Sequence, residues 1–250
     1  MKHVHSHRLA IIGAALLALS GSLSGGPRPA RADGGPVLVE LFTSQGCSSC
    51  PSADAFLKEL AGQPDILALS FHVDYWDRLG WRDPFASAWN TRRQHAYREA
   101  LGQPYVYTPQ MVIDGTDQAV GSDRAAVGRL IDRHRRDGAM VAVALARTVP
   151  GMVRLVLPAK PGLAGRLTLF GYDREHGTDV RAGENAGRRL LNTNVVSLVE
   201  DWGQWSGEPV DRVRPLPDPR PGRSYALVLV QEGGTPATRV LGAARLEAAP

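Results

Sequence analysis

The 250-residue chain carries only two cysteines, Cys47 and Cys50, and they stand almost side by side. Without a second pair there is no four-thiolate zinc set, because structural zinc takes four ligands. No cysteine lies near the end of the N-terminal apolar stretch, which excludes a lipid anchor there. Beyond that stretch no apolar run approaches the ~20 residues needed to span a bilayer. An excess of charge is lacking too, once the N-terminus is set aside. There are 29 Lys and Arg against 25 Asp and Glu; four of the bases and no acid fall in residues 1–32, so the rest balances to zero. The basic isoelectric point of the whole chain therefore gives no support to a nucleic-acid partner.

What stands at the N-terminus is "MKHVHSHRLAIIGAALLALSGSLSGGPRPARADGG". Lys2 and Arg8 precede an apolar run from Leu9 to Leu19, and small residues lead to Ala30-Arg31-Ala32. This is the three-part layout of a secretory signal, with cleavage expected after Ala32. There is no Arg-Arg pair ahead of the apolar run, so the general secretion route is expected rather than the twin-arginine one. The mature protein is expected to be periplasmic or secreted, without an integral membrane segment. His3, His5 and His7 leave with the signal, and with them any histidine tract for metal.

From Val37 to Gly138 strand and helix patterns alternate. "VLVELF" (37–42) and "ILALSFHVDYW" (66–76) read as strands. "PSADAFLKELAG" (51–62) reads as a helix with Ala53, Phe56, Leu57 and Leu60 on one face. A second helix is expected over 83–102, with Pro84 in its first turn. "PQMVIDGTDQAVG" (109–121) reads as a hairpin turning at Asp114-Gly115, and 122–138 as a helix capped by Ser122 or Asp123. The order β-α-β-α-β-β-α predicts a parallel sheet ending in one antiparallel hairpin. After Gly138 the strand-like runs are short and separated by Gly- and Pro-rich turns, such as "PLPDPRPGR" (215–223). The reading is three parts: a signal peptide (1–32), an α/β domain (33–138) and a small all-β, sandwich-like domain (139–250).

Cys47 and Cys50 fall between the first strand and the first helix. A helix N-terminus offers free N–H groups and partial positive charge, which favour thiolate over thiol. Two intervening residues leave both sulfurs on one turn, close enough to form and break a disulfide. Cys47, the outer one, is expected to attack, and Cys50 to resolve the mixed disulfide. No separate cofactor is expected, the redox group being the Cys47–Cys50 disulfide itself.

Strand, CxxC, helix, strand, helix, then a proline before a hairpin and a last helix resembles the thioredoxin order. That resemblance implies a cis bond at Thr108-Pro109, facing the CxxC and holding substrate backbone. It also implies a buried carboxylate on the strand leading to the cysteines, for which Glu40 is the candidate proton carrier, although the loop before Cys47 is one residue longer than in thioredoxins. More closely, "VELFTSQGCSSCPSAD", "HVDYWDRLGWRDPFA", "YTPQMVIDG" and "GENAGRRLLNTNVV" (183–196) resemble an uncharacterised family of exported bacterial proteins, domain of unknown function 1223. The resemblance covers nearly all of the mature chain and implies a thioredoxin-like fold and export, but no substrate.

Near the cysteines, His72 and Asp74 alternate with Phe71 and Val73, and Tyr75, Trp76, Trp81 and Phe85 crowd the next loop. Trp76 and its neighbours form an apolar rim for a substrate beside Cys47, or simply pack the loop down. His95, His134 and His176 are expected to be solvated. Three functions stay open. The first is thiol–disulfide exchange with protein or small-molecule thiols and disulfides, including a redox partner that supplies electrons. The second is a copper(I) protein using Cys47 and Cys50 with His72 or Met111. The third is a binding protein with a stapled turn, although so short a loop gains little from a bridge. "GENAGRRLLNTNVV" reads either as a polar interface or as a turn feeding a strand.

Overall fold

A computed structural model describes Met1 and residues 35–233 and 238–248. Apart from Met1, the expected signal peptide and its cleavage position lie outside the described residues. β1 (Val37–Thr43) and β2 (Ile66–His72) are buried along their whole length and run parallel, Val37 beside Ile66 and Thr43 beside His72. Burial on both faces is why both read as continuous apolar runs. α1 (Pro51–Ala61) connects them, with Pro51 in its first turn and Ala53, Phe56, Leu57 and Leu60 as its buried stripe. A long turn follows β2, with one 3-10 turn at Asp77–Leu79. α2 (Ala88–Ala100) starts behind Ser87, whose side chain accepts the Asn90 N–H. β3 (Gln110–Ile113) and β4 (Asp117–Val120) form the expected hairpin, with Asp114 and Gly115 at φ 43° and 72°. α3 (Arg124–Asp137) is capped by Asp123, which accepts the Ala126 N–H.

The rest of the chain is strands: β5 (Ala144–Arg147), β6 (Met152–Leu157), β7 (Gly165–Asp179), β8 (Arg189–Trp205), β9 (Val210–Pro215), β10 (Arg223–Gln231) and β11 (Val240–Leu246). Here the structure corrects the predicted architecture, an α/β thioredoxin-like domain followed by a small all-β, sandwich-like domain. The described chain is mostly β, and one mixed sheet of eight strands runs through both halves in the order β11-β10-β7-β8-β2-β1-β3-β4. Only β5, β6 and β9 form a separate sheet. The junction is β8, which meets β2 parallel at Ser70 and Val195. Its physical role is plain: without β8, the fully buried β2 would present an open edge of unpaired backbone groups.

Side chains alternate across this sheet. Val37, Val39, Leu41, Ile66 and Ala68 face α1 and pack with Phe56, Leu57 and Leu60. Leu38, Phe42, Leu67, Leu69 and Phe71 face the other way, into a cluster completed by Tyr97 of α2 and by Phe170, Tyr172, Val196, Ala226 and Val228 from the later strands. A third cluster fills the space beside the small sheet, with Val153, Leu155, Leu169, Trp202, Trp205 and Leu227. Among the described residues no helix is long and apolar enough to cross a membrane.

Candidate functional site

β1 ends at Thr43, and the chain then turns tightly into α1. The Cys47 N–H donates to the Ser44 carbonyl (3.1 Å), and the Gly46 N–H to Ser44 Oγ (3.0 Å). Cys50 is the N-cap of α1; its carbonyl accepts from the N–H groups of Ala53 and Asp54. Cys47 and Cys50 are joined in a disulfide with Cα atoms 5.4 Å apart. Both residues are fully buried, whereas Ser48 and Ser49 between them are exposed. Ser49 Oγ lies 3.3 Å from Cys47 Sγ and is placed to donate to a thiolate there.

The floor beneath this turn is polar. Thr43 and His72 are register partners at the ends of β1 and β2, so their side chains share the face that α1 covers. Asp54 follows Cys50 by one helical turn, on the same side of α1. It is buried and accepts the Thr43 hydroxyl at 3.0 Å. Burial is the main force on its carboxyl, and a nearby Asp83 adds to it; against the pull of His72 and the Thr43 bond they push the pKa up to about 7. His72 Nδ1 lies 2.7 Å from Asp83 Oδ2, and neither side chain is exposed at all. Burial opposes a charge on His72, but the Asp83 carboxylate, its hydrogen bond and the Asp54 charge outweigh this and raise the pKa. Burial likewise opposes the Asp83 charge, and His72 with the N–H groups of Gln45 and Phe85 overcomes it and lowers the pKa. His72 Nε2 is buried without a hydrogen-bond partner. This engagement of Asp83 explains why α2 starts at Ala88 and not at the predicted 83: the Asp83 carboxylate points back to the floor and does not cap a helix.

Glu40 lies elsewhere. It belongs to the row of Leu38 and Phe42, on the sheet face opposite to α1. Arg93 of α2 grips its carboxylate with two bonds (2.5 and 2.8 Å), and the Tyr97 hydroxyl donates to it as well. The guanidinium is itself enclosed by Phe71, Trp89, Tyr97 and Phe170.

At the rim, Thr108-Pro109 is cis. Trp76 Nε1 donates to Thr108 Oγ1 (2.8 Å), and a Cβ on Gly46 would meet Trp76 Cβ at 3.1 Å. Trp76 thus bridges the cysteine turn and Thr108. A Cβ on Gly121 would touch Ala53, Leu41 and Pro109 at 3.1–3.2 Å, which places Pro109 against the first turn of α1. Trp81 donates to Gln45 Oε1 (3.1 Å), and the Phe85 ring packs edge-on to His72, centroids 5.4 Å apart. Asp74 turns away from His72 to accept the Thr91 hydroxyl (2.6 Å). Met111 is core, opposite Leu41. Among the described residues no group of three or more His, Cys, Asp or Glu is placed to hold a metal ion.

Two of the histidines expected in solvent have partners. His134 sits between Asp114 (3.2 Å) and Asp117 (2.8 Å), and the His176 ring packs on Phe85 at 4.6 Å. The later half of the chain also reaches the cysteines. Asn185 donates to the carbonyls of Gln45 and Cys47, Glu184 accepts the Ser48 N–H, and Asn192 accepts from the Gln45 side chain (2.9 Å). The "GENAGRRLLNTNVV" segment therefore meets the cysteine turn itself. Sequence reasoning missed Asp54, Asp83 and Asn185; only Asp54 carried a usable signal, its place four residues after Cys50.

The family described as protein of unknown function, DUF1223, matches residues 38–231. Among solved structures the chain is similar to an X-ray crystal structure of a protein from Agrobacterium tumefaciens, with 33% identity and a TM-score of 0.74 over 86% of this chain and 95% of that one. A solution structure of CsgH from R. palustris aligns with 44% of this chain and 91% of that one at 15% identity; its TM-score of 0.18 carries no argument. No curated protein matches the chain.

Proposed function

The chain belongs to the family of unknown function DUF1223, and from that premise we propose that it is a thiol–disulfide exchange protein acting through Cys47 and Cys50. One observation carries this reading: the pair forms a disulfide at the start of α1, one turn from a buried carboxyl whose pKa of about 7 suits proton transfer near neutral pH. In the dithiol state the Cys47 thiolate attacks one sulfur of a substrate disulfide, and the other sulfur leaves as a thiolate. Cys50 passes its proton to Asp54 and attacks Cys47 Sγ. The Cys47–Cys50 bond forms, the mixed disulfide breaks, and the second substrate thiolate leaves. Two electrons pass to the substrate, and with a dithiol substrate every step runs in reverse. Asp54 takes the role first sought in Glu40, because it lies on the cysteine side of the sheet. Trp76, Thr108 and Pro109 form the rim against which the substrate chain lies. The signal pattern supports a setting outside the cytosol, where disulfides persist.

The test is reduction of insulin disulfides, and oxidation of a reduced model protein, by residues 33–250 in a glutathione buffer. The expected result is turnover in one direction, lost on Cys47→Ser. A Cys47–Cys50 pair inert to glutathione, with neither reaction supported, would overturn the proposal.

A further inference from the structure

The cysteine turn is finished by residues far along the chain. Between β7 and β8 the chain doubles back through Gly183–Gly187, and Asn185 at the centre of that bend is fully buried. Its Nδ2 donates to the Gln45 and Cys47 carbonyls, both at 2.9 Å, which flank Gly46. Its Oδ1 accepts from Arg188 at 2.9 Å, so the amide is held at both ends. Beside it, Glu184 accepts the N–H of Ser48 at 3.0 Å. Ser48 directly follows Cys47. Backbone N–H groups at a helix start are what favour a thiolate there. Glu184 bonds an N–H in the turn two residues ahead of the N-cap Cys50, and sets a carboxylate against the peptide that joins Cys47 to Ser48.

We propose that the Gly183–Gly187 turn sets the redox equilibrium of the Cys47–Cys50 pair, Asn185 by fixing the backbone of the cysteine turn and Glu184 by biasing the pair toward the disulfide. This rests on the exchange reading for its purpose and adds what tunes it. The sign follows from the charge. A carboxylate beside Cys47 raises the cost of a thiolate, the thiolate belongs to the reduced state, and a pair whose reduced state is destabilised is the weaker oxidant. The other charged groups facing the turn are Arg188 from the same bend and His72, Asp83 and Asp54 from the floor. Glu184→Gln alters none of them and keeps an oxygen to accept from Ser48, so it isolates the charge. Both residues are positioning residues in this scheme; neither touches substrate.

The experiment equilibrates residues 33–250 with graded ratios of reduced and oxidised dithiothreitol, counts free thiols by mass tagging, and reads the Cys47 thiol pKa from alkylation rates. Glu184→Gln should shift the exchange constant toward the dithiol by about fivefold, which is about 20 mV for a two-electron couple. It should lower the thiol pKa, lose most of its effect in 1 M salt, and leave the urea midpoint unchanged. Asn185→Ala should move the potential as well, and speed alkylation of reduced Cys47. A Glu184→Gln variant with the parent's potential and thiol pKa at low salt overturns the assignment to Glu184. An Asn185→Ala variant that loses stability at an unmoved potential overturns the assignment to Asn185. Should the potentials shift as stated while no variant reduces insulin or oxidises a reduced model protein, the tuning stands and the exchange function fails.

Discussion

Asp54 and Glu40 are both buried carboxylates, and what touches each decides which can move a proton. Glu40 has a full guanidinium across it and a tyrosine hydroxyl besides. Asp54 has one threonine hydroxyl and the pull of His72, and burial outweighs both. The Asp54 pKa of about 7 stands above its unfolded value of 3.8. Between the two values the unfolded chain has lost its proton while the folded chain keeps it. Stability therefore falls as pH rises from about 4 to about 7 and stays low above that. Asp54→Asn removes this penalty. At pH 8 it should raise the free energy of unfolding by about 1–4 kcal/mol, and near pH 4 by little, as read from urea titrations of the oxidised protein. The same variant should slow resolution of the mixed disulfide on the order of 100-fold at pH 7, followed by stopped-flow fluorescence. Glu40 predicts the opposite pattern. Arg93→Met strands the Glu40 carboxylate without its cation and should cost about 3–5 kcal/mol, while the pH profile of exchange keeps its shape. An exchange profile that moves with Arg93→Met and not with Asp54→Asn would return the proton role to Glu40.

At the scale of elements, the strands and helices up to Gly138 were legible because each carries its own signal. Val37–Thr43 is a continuous apolar run, Asp123 is a cap in the right place, and Asp114-Gly115 supplies the left-handed turn. Glu40 falls on the face opposite to α1, since one residue along a strand changes the face, and the sequence shows this only through the longer loop before Cys47. β7 and β8 resisted reading for another reason. They run 15 and 17 residues, and β8 crosses polar Asn192-Thr193-Asn194, which looks like a loop. β8 meets β2 through one bridging pair, and at Asn194 a side chain takes over where a ladder bond is missing, while Asn192 accepts instead from Gln45. Asn194 adopts φ 50° and donates Nδ2 to the Ala68 carbonyl of β2 at 2.8 Å. Asn194→Ala loses both the tolerance for that backbone and the donor, and should destabilise by about 1–3 kcal/mol in urea titrations. Asn194→Gly keeps the backbone and should cost less. Equal losses for the two would mean that the lost hydrogen bond, and not the backbone conformation, accounts for the cost.

At the scale of the whole molecule, both halves of the chain share one sheet and one apolar cluster. Leu38, Phe42, Leu69 and Phe71 from the first half pack with Phe170, Tyr172, Ala226 and Val228 from the second. The Arg93 guanidinium, which holds Glu40, is enclosed partly by Phe170. The cysteine turn depends on Asn185 for two of its carbonyl partners. Cutting the chain after Gly138 would open the β2 edge, expose half of the shared cluster and release the cysteine turn at once. Residues 33–138 alone should therefore show no cooperative urea transition, and should aggregate through the β2 edge. Residues 33–250 should unfold in a single transition, with amides of β1, β2 and β10 exchanging hydrogen at the same limiting free energy. Native-state hydrogen exchange measures this directly. Were β1 and β2 to stay protected under conditions where β10 has opened, the first half would be a unit in its own right, and the disulfide site would keep its floor without the later strands.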